Sequence, residues 1–235
     1  MKNNEILVKD LGVLSYDKSW EHQKRIFDNI VSQKINNRTL KKKIKTENYL
    51  LIVEHKPIYT IGKSGEISNL LLDDQELKLK GIDFKKINRG GDITFHGLGQ
   101  IVGYPILDLD NFFTDIGLYL RTLEEVIIST IDFFGIKGFR IDGETGVWVK
   151  DESNSLKKIC AFGIKASRWV TMHGFALNVN TDLTYFDNIV PCGISDKGVT
   201  SLQEILNQKI ATKTVKEKLY ENIAKLFNAE LSMTN

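Results

Sequence analysis

Residues 114–134 narrow the possible folds of this chain more than any other segment. Ile116, Leu120, Leu123, Ile127, Ile131 and Phe134 recur at helical spacing on one face, and Gly135 follows where a left-handed stop belongs. The other apolar segments are mostly short. Residues 49–54 (YLLIVE) read as a buried strand, 55–62 (HKPIYTIG) as a turn and second strand, and 82–88 and 101–109 as two more. Strands are expected again at 146–150, 158–165 and 170–180. A second helix is expected from a cap at Ser19 through Trp20, Ile26, Phe27, Ile30 and Val31, and a third over 212–226. Strands interleaved with a few long helices predict an α+β domain built on a largely antiparallel or mixed sheet. With 235 residues, three prolines and no Pro/Ser linker, residues 1–235 read as a single domain, with room for a small subdomain after Val199.

Composition excludes several classes of function. Basic and acidic residues number 32 and 30, so a net charge of +2 gives no electrostatic case for nucleic acid. No window supplies the ~20 apolar residues of a membrane span. The opening MKNNEILVKDLG lacks the apolar core of a signal peptide, and a cytoplasmic protein is expected. Two cysteines, Cys160 and Cys192, make no disulfide framework. Neither G-x-G-x-x-G after a strand nor G-x-x-x-x-G-K-[ST] occurs, which argues against dinucleotide and P-loop folds. His55, His96, His173 and the cysteines lack metal-ligand spacing, so neither metal nor cofactor is expected. The basic run 38–46 reads as a solvated loop or helix end.

Three segments carry chemistry. Arg89-Gly90-Gly91-Asp92-Ile93-Thr94-Phe95-His96 lies between two predicted strands and leads into Gly97, Gly99 and Gln100. Paired glycines let backbone approach a ligand and expose N–H groups, Arg89 adds a cation, and His96 can donate or accept a proton. In Pro191-Cys192-Gly193-Ile194, glycine leaves the sulfur unshielded, whereas Cys160 falls in an apolar strand and reads as core. Over 170–180, Gly174 interrupts a strand, and Asn178 and Asn180 share a face from which to bond a neighbouring loop.

Taken in order from about residue 50 to 203, these words resemble the lipoyl(octanoyl) transferases of lipoate biosynthesis. The matching words are HKPIYTIG at 55–62, R-G-G-x-x-T-F-H at 89–96 with Gly97, Gln100, Val102 and Tyr104, Lys158-Ile159 followed by Gly163, MHGFALNVN at 172–180, and Pro191-Cys192-Gly193. The resemblance implies the biotin/lipoate protein ligase fold, a mixed β-sheet with packed helices. It implies a catalytic pair of Cys192 and Lys158, with Lys165 a rival for the lysine. It implies an acyl pocket from Arg89, Gly90, Gly91, Asp92, Ile93, Thr94, Phe95 and His96 together with Ala161, Phe162, Gly163, Gly174, Phe175 and Ala176. Leu98 departs from the proline more usual there. The implied partners are octanoyl-acyl carrier protein as donor, and as acceptors the lipoyl domains of 2-oxoacid dehydrogenase complexes and the glycine cleavage H protein. An ATP-dependent lipoate-protein ligase and a non-catalytic lipoyl-domain-binding module stand as alternatives.

Overall fold

The apolar run 49–55 is buried on both faces: Leu50 and Ile52 turn to one core, Leu51 and Val53 to another. A strand of that kind needs cover on each side, and the helices supply it. The structure, a computed structural model, describes residues 2–41, 44–190 and 198–234. Cys192 and its neighbours, and Lys42 and Lys43 of the basic run, lie outside the described residues.

In chain order the elements are β1 (Glu5–Leu14), α1 (Tyr16–Thr39), β2 (Tyr49–His55), β3 (Ile58–Ile61), α2 (Asp74–Lys80), β4 (Asp83–Lys86), β5 (Ile93–His96), β6 (Gln100–Ile106), α3 (Ile116–Asp132), β7 (Val147–Lys150), β8 (Leu156–Ser167), β9 (Val170–Asn178), β10 (Gly198–Val199), α4 (Leu202–Leu206), α5 (Thr212–Phe227) and β11 (Glu230–Met233). The large sheet runs β10-β8-β9-β6-β2-β1-β11, with β7 also paired to β8. The β2–β6–β9–β8–β7 connections are antiparallel, whereas β1 lies parallel to β2 and β11, and β10 parallel to β8. A second, three-stranded sheet runs β4-β3-β5. The sheet is mixed and the class α+β, as the sequence predicts. No helix among the described residues is long and apolar enough to cross a membrane.

One face of the large sheet packs on α3 and α5 through Leu123, Ile127, Ile131, Leu219, Ile223 and Phe227. The other packs on α1 through Phe27 and Ile30. The small sheet has its own core of Tyr59, Ile61, Phe95 and Leu77. Gly135 takes φ +77° just past α3, as the stop signal requires. The α1 start differs from expectation. The helix begins at Tyr16 with extended Ser15 at the cap position, and Ser19 lies fully buried one turn inside. Tyr16 packs its ring 5.4 Å from that of His55, and this contact draws the helix start back a turn.

Glu124 of α3 is wholly buried and binds three donors: Arg121 Nη1 at 2.6 Å, Arg140 Nε at 3.1 Å and the Gly146 N–H at 3.1 Å. It pins the turn leading into β7. Removing Arg140 leaves a buried carboxylate short of a partner, which is costlier than losing an exposed pair. Arg140→Ala should lower stability by about 2 kcal/mol in urea titration. Lys137→Ala, which breaks only the exposed contact with Asp132, should stay within about 0.5 kcal/mol.

Candidate active site

Arg89 is 7% exposed and reaches across from the glycine-rich loop to the small sheet. Its Nη2 donates to Thr60 O at 2.8 Å and Thr60 Oγ1 at 3.0 Å, and Nη1 donates to Gly90 O at 2.9 Å. Glycines let the side chain lie this close to backbone. A Cβ on Gly163 of β8 would come 2.7 Å from Arg89 Cδ, and one on Gly62 would come 2.1 Å from Gly91 O. The arginine therefore ties the loop, β3 and β8 into one wall.

Behind that wall lies a cavity of about 440 Å³. Of the residues singled out in the sequence, Arg89, Gly91, Asp92, Ile93, Thr94 and His96 line it, as do Ala161, Phe162, Gly163, Gly174, Phe175 and Ala176. Gly90 and Phe95 do not. Gly90 bonds through its N–H to Ile164 O at 3.0 Å. Phe95 stacks on Tyr185 in the small-sheet core, ring centroids 4.4 Å apart. Leu98 is exposed in the loop beyond His96. Sequence reading had no place for Tyr16, which also lines the cavity, or for Thr60 as the anchor of Arg89. A signal for Tyr16 exists: Tyr16, Ser19 and Gln23 form a polar stripe at i, i+3 and i+7 on the buried face of α1.

Lys158 reaches the same cavity from β8. Its Nζ lies 4.5 Å from the centroid of the Trp148 ring, on the neighbouring strand β7. Gly146 makes room for its stem, since a Cβ there would stand 3.0 Å from Lys158 Cε. Lys165 instead sets its Nζ over Phe27 of α1, 5.4 Å from the ring centroid. Cys160 is 1% exposed, packs in the main core and borders the cavity. Burial pushes its thiol well above the usual range, so it stays protonated and unreactive. Cys192 lies outside the described residues.

The Lipoyl protein ligase A/B catalytic domain matches residues 15–224. The chain belongs to this family. It is similar to octanoyltransferases of Christiangramia forsetii, 57% identical over 97% of this chain and 98% of that one, and of Flavobacterium johnsoniae, 56% identical over 97% and 99%. In structure it is similar to a bipartite lipoate protein ligase of Thermoplasma acidophilum, with a TM-score of 0.71 at 14% identity, covering all of this chain and 88% of that one. It is also similar to a lipoate-protein ligase A bound with ATP, with a TM-score of 0.67 at 16% identity, covering all of this chain and 90% of that one. The fold is that of the lipoate ligases.

Two buried histidines, His96 and His173, line this family member's cavity, and a third, His55, packs beside His96. His55 donates from Nδ1 to Leu14 O at 3.0 Å and accepts at Nε2 from Tyr104 Oη at 2.8 Å. The His173 N–H donates to Gln23 Oε1 at 3.1 Å, joining β9 to α1. Burial lowers the pKa of His55 to about 4 and of His173 to about 4. Burial, reinforced by the nearby His55, lowers that of His96 to about 3. All three are neutral in the folded protein near pH 7. Above about pH 6.5 folded and unfolded states bind the same number of protons at these rings. Below it the unfolded chain takes up protons that the folded rings refuse, so stability falls. Unfolding free energies from urea titration should decline from about pH 6.5 toward 4, by up to ~1.4 kcal/mol per pH unit for each ring. His55→Gln should flatten the decline, and an unchanged slope would show that this ring does not contribute.

Proposed function

We propose that this chain is an octanoyltransferase that carries the acyl group on Cys192, with Lys158 as acid and base. The donor in this reading is octanoyl-acyl carrier protein. The acceptors are lysines of lipoyl domains, those of 2-oxoacid dehydrogenase complexes and of the glycine cleavage H protein. The reaction takes place in the cytoplasm and opens endogenous protein lipoylation. The observation that carries the assignment is identity of 56–57% to octanoyltransferases across nearly the whole length of both chains.

The chemistry divides into two steps. The Cys192 thiolate attacks the thioester carbonyl, and the carrier's thiolate leaves and takes a proton. The lysine amine then attacks the new thioester, loses a proton and releases the Cys192 thiolate. Two carriers can use one site in turn because the acyl group waits on the protein between visits. A free cysteine is only roughly 3% thiolate at pH 7, and a neighbouring ammonium raises that fraction. Lys158 supplies the ammonium and, once neutral, takes the amine's proton. Cys160 is unsuited to the task because its thiol is buried and held protonated, which supports Cys192 as nucleophile. Apolar lining from Phe162, Phe175 and Ala176 suits a hydrocarbon chain. Burying six methylenes contributes about 5 kcal/mol at ~0.8 kcal/mol each.

Intact mass after incubation with octanoyl-acyl carrier protein tests the reading. Wild type and Cys160→Ala should each gain one octanoyl group, and Cys192→Ala none. Lys158→Ala should acylate at least ~100-fold more slowly. Transfer should need no ATP. An adduct that persists in Cys192→Ala, or strict ATP dependence, overturns the proposal.

A further inference from the structure

A continuous hydrogen-bond chain joins the glycine-rich wall to the backbone of Lys158, and its direction is fixed from both ends. Asn178 Nδ2 donates to Thr200 O at 3.0 Å, and Gln100 Nε2 donates to Phe95 O at 3.1 Å. A backbone carbonyl only accepts, so each amide has one orientation. The two side-chain oxygens are thereby aimed along the chain. Asn178 Oδ1 accepts from Gln100 Nε2 at 2.9 Å, and Gln100 Oε1 faces His96 Nδ1 at 2.8 Å. His96 must carry its proton on Nδ1. Its Nε2 is left to accept from Thr60 Oγ1, 3.4 Å away, and Thr60 Oγ1 in turn accepts from Arg89. At the other end the Thr200 N–H donates to Lys158 O at 3.0 Å. Every side chain on the route, from Arg89 to Thr200, is buried.

We propose that Asn178 and Gln100 are positioning residues for acyl transfer, setting where Lys158 stands relative to the acyl cavity through Thr200. This rests on the reading of Lys158 as the partner of Cys192. The strand that holds Lys158 on its outer side, β10, pairs over only two residues, Gly198 with Lys157 and Val199 with Lys158. So short a pairing does not by itself fix that edge of β8, whose other edge pairs with β7. Thr200 is the anchor that extends it. Its carbonyl is held by Asn178, and its Oγ1 donates to Glu204 Oε2 at 2.5 Å. Gln203 N, one turn on, donates to Val179 O at 2.8 Å. Asn178 thus spans the gap between β9 and the segment that steadies β8. Displacing a catalytic group by about 1 Å is enough to slow a reaction ~100-fold. The titratable groups along the route are Arg89, His96, Lys158 and Glu204.

Asn178→Asp separates the two halves of the chain. The ionised carboxylate still accepts from Gln100 and loses the donor to Thr200 O. Once protonated, the carboxyl regains that donor, and burial brings its protonation into the working pH range. Two quantities are read against pH in Asn178→Asp, Asn178→Leu and wild type: steady-state transfer, and the rate of Cys192 alkylation by iodoacetamide. At about pH 8 both variants should lose roughly tenfold in kcat with KM for the carrier unchanged, and the apparent thiol pKa should rise. The deficit of Asn178→Asp should narrow as pH falls, and that of Asn178→Leu should stay constant. Wild-type kcat and thiol profiles in both variants overturn the proposal, as does a deficit in Asn178→Asp that ignores pH. If Cys192→Ala and Lys158→Ala keep full transfer, the reading of the site fails instead. Should neither Asn178 variant fold, nitrogen-15 correlation spectra of wild-type His96 decide. A neutral ring protonated on Nδ1 down to about pH 5 supports the chain, and any other form there overturns it.

Discussion

Arg89 and the loop that carries it join this molecule's two sheets: the guanidinium bonds to Thr60 of β3, and the neighbouring Gly90 N–H bonds to Ile164 O of β8. Arg89 gives up most of its hydration and recovers it from carbonyls and a hydroxyl, Thr60 O, Thr60 Oγ1 and Gly90 O. Lysine has a compact ammonium where arginine has a planar fork, so it does not present donors in the spread geometry these acceptors occupy. The glycines around it follow from the same need. Gly62 and Gly163 are where β3 and β8 come near enough for the fork to touch both, and a side chain at either would push the sheets apart.

That cation also shapes the electrostatics of the cavity. It opposes charge on His96 and His173, and burial opposes it more strongly. His96 and His173 add neutral imidazoles to a lining that also holds Arg89, Asp92, Glu144 and Lys158. His96 bonds to Gln100, and outside the lining His55 bonds to Leu14 O and Tyr104. The cavity therefore combines polar and apolar lining, and some of its polar groups are satisfied by other buried groups, Arg89 by Thr60 and His96 by Gln100.

Much of the scaffold was legible wherever a residue's environment is local. α3 announces itself through apolar residues at helical spacing, and β2 through a run buried on both faces. The α1 start was not, because Ser15 and Ser19 are equal candidates until Tyr16 finds His55. Strand β1 buries only Ile6 and Val8 well, and its parallel partner β11 lies at the opposite end of the chain. The turn between β8 and β9 is made by Arg168 and Trp169, both left-handed at φ +52° and +65°, where glycine or asparagine would have marked it. In the site, Arg89 and His96 stand out beside their glycines. Thr60 and Tyr16 do not, because their meaning comes from elements that meet only in the folded state. Asn178 is intermediate: its strand face predicts a loop partner, and only the structure shows that the partner is Thr200.

The fold alone does not choose between ligase and transferase. Lipoate protein ligases share it at 14–16% identity, so the backbone is common to activation of a free acid and to acyl exchange between thioester and amine. The choice falls to side chains. A transferase of the kind proposed needs a sulfur that ionises readily and leaves readily, and the chain has two cysteines. Cys160 has been taken into the core, where burial holds its proton on. Its place on the cavity wall suits the reading proposed, since a buried thiol held protonated packs there as a small apolar group. In the reaction proposed, burial of one sulfur leaves the chemistry to the other, and Lys158, two residues before Cys160 on the same strand, lines the same cavity.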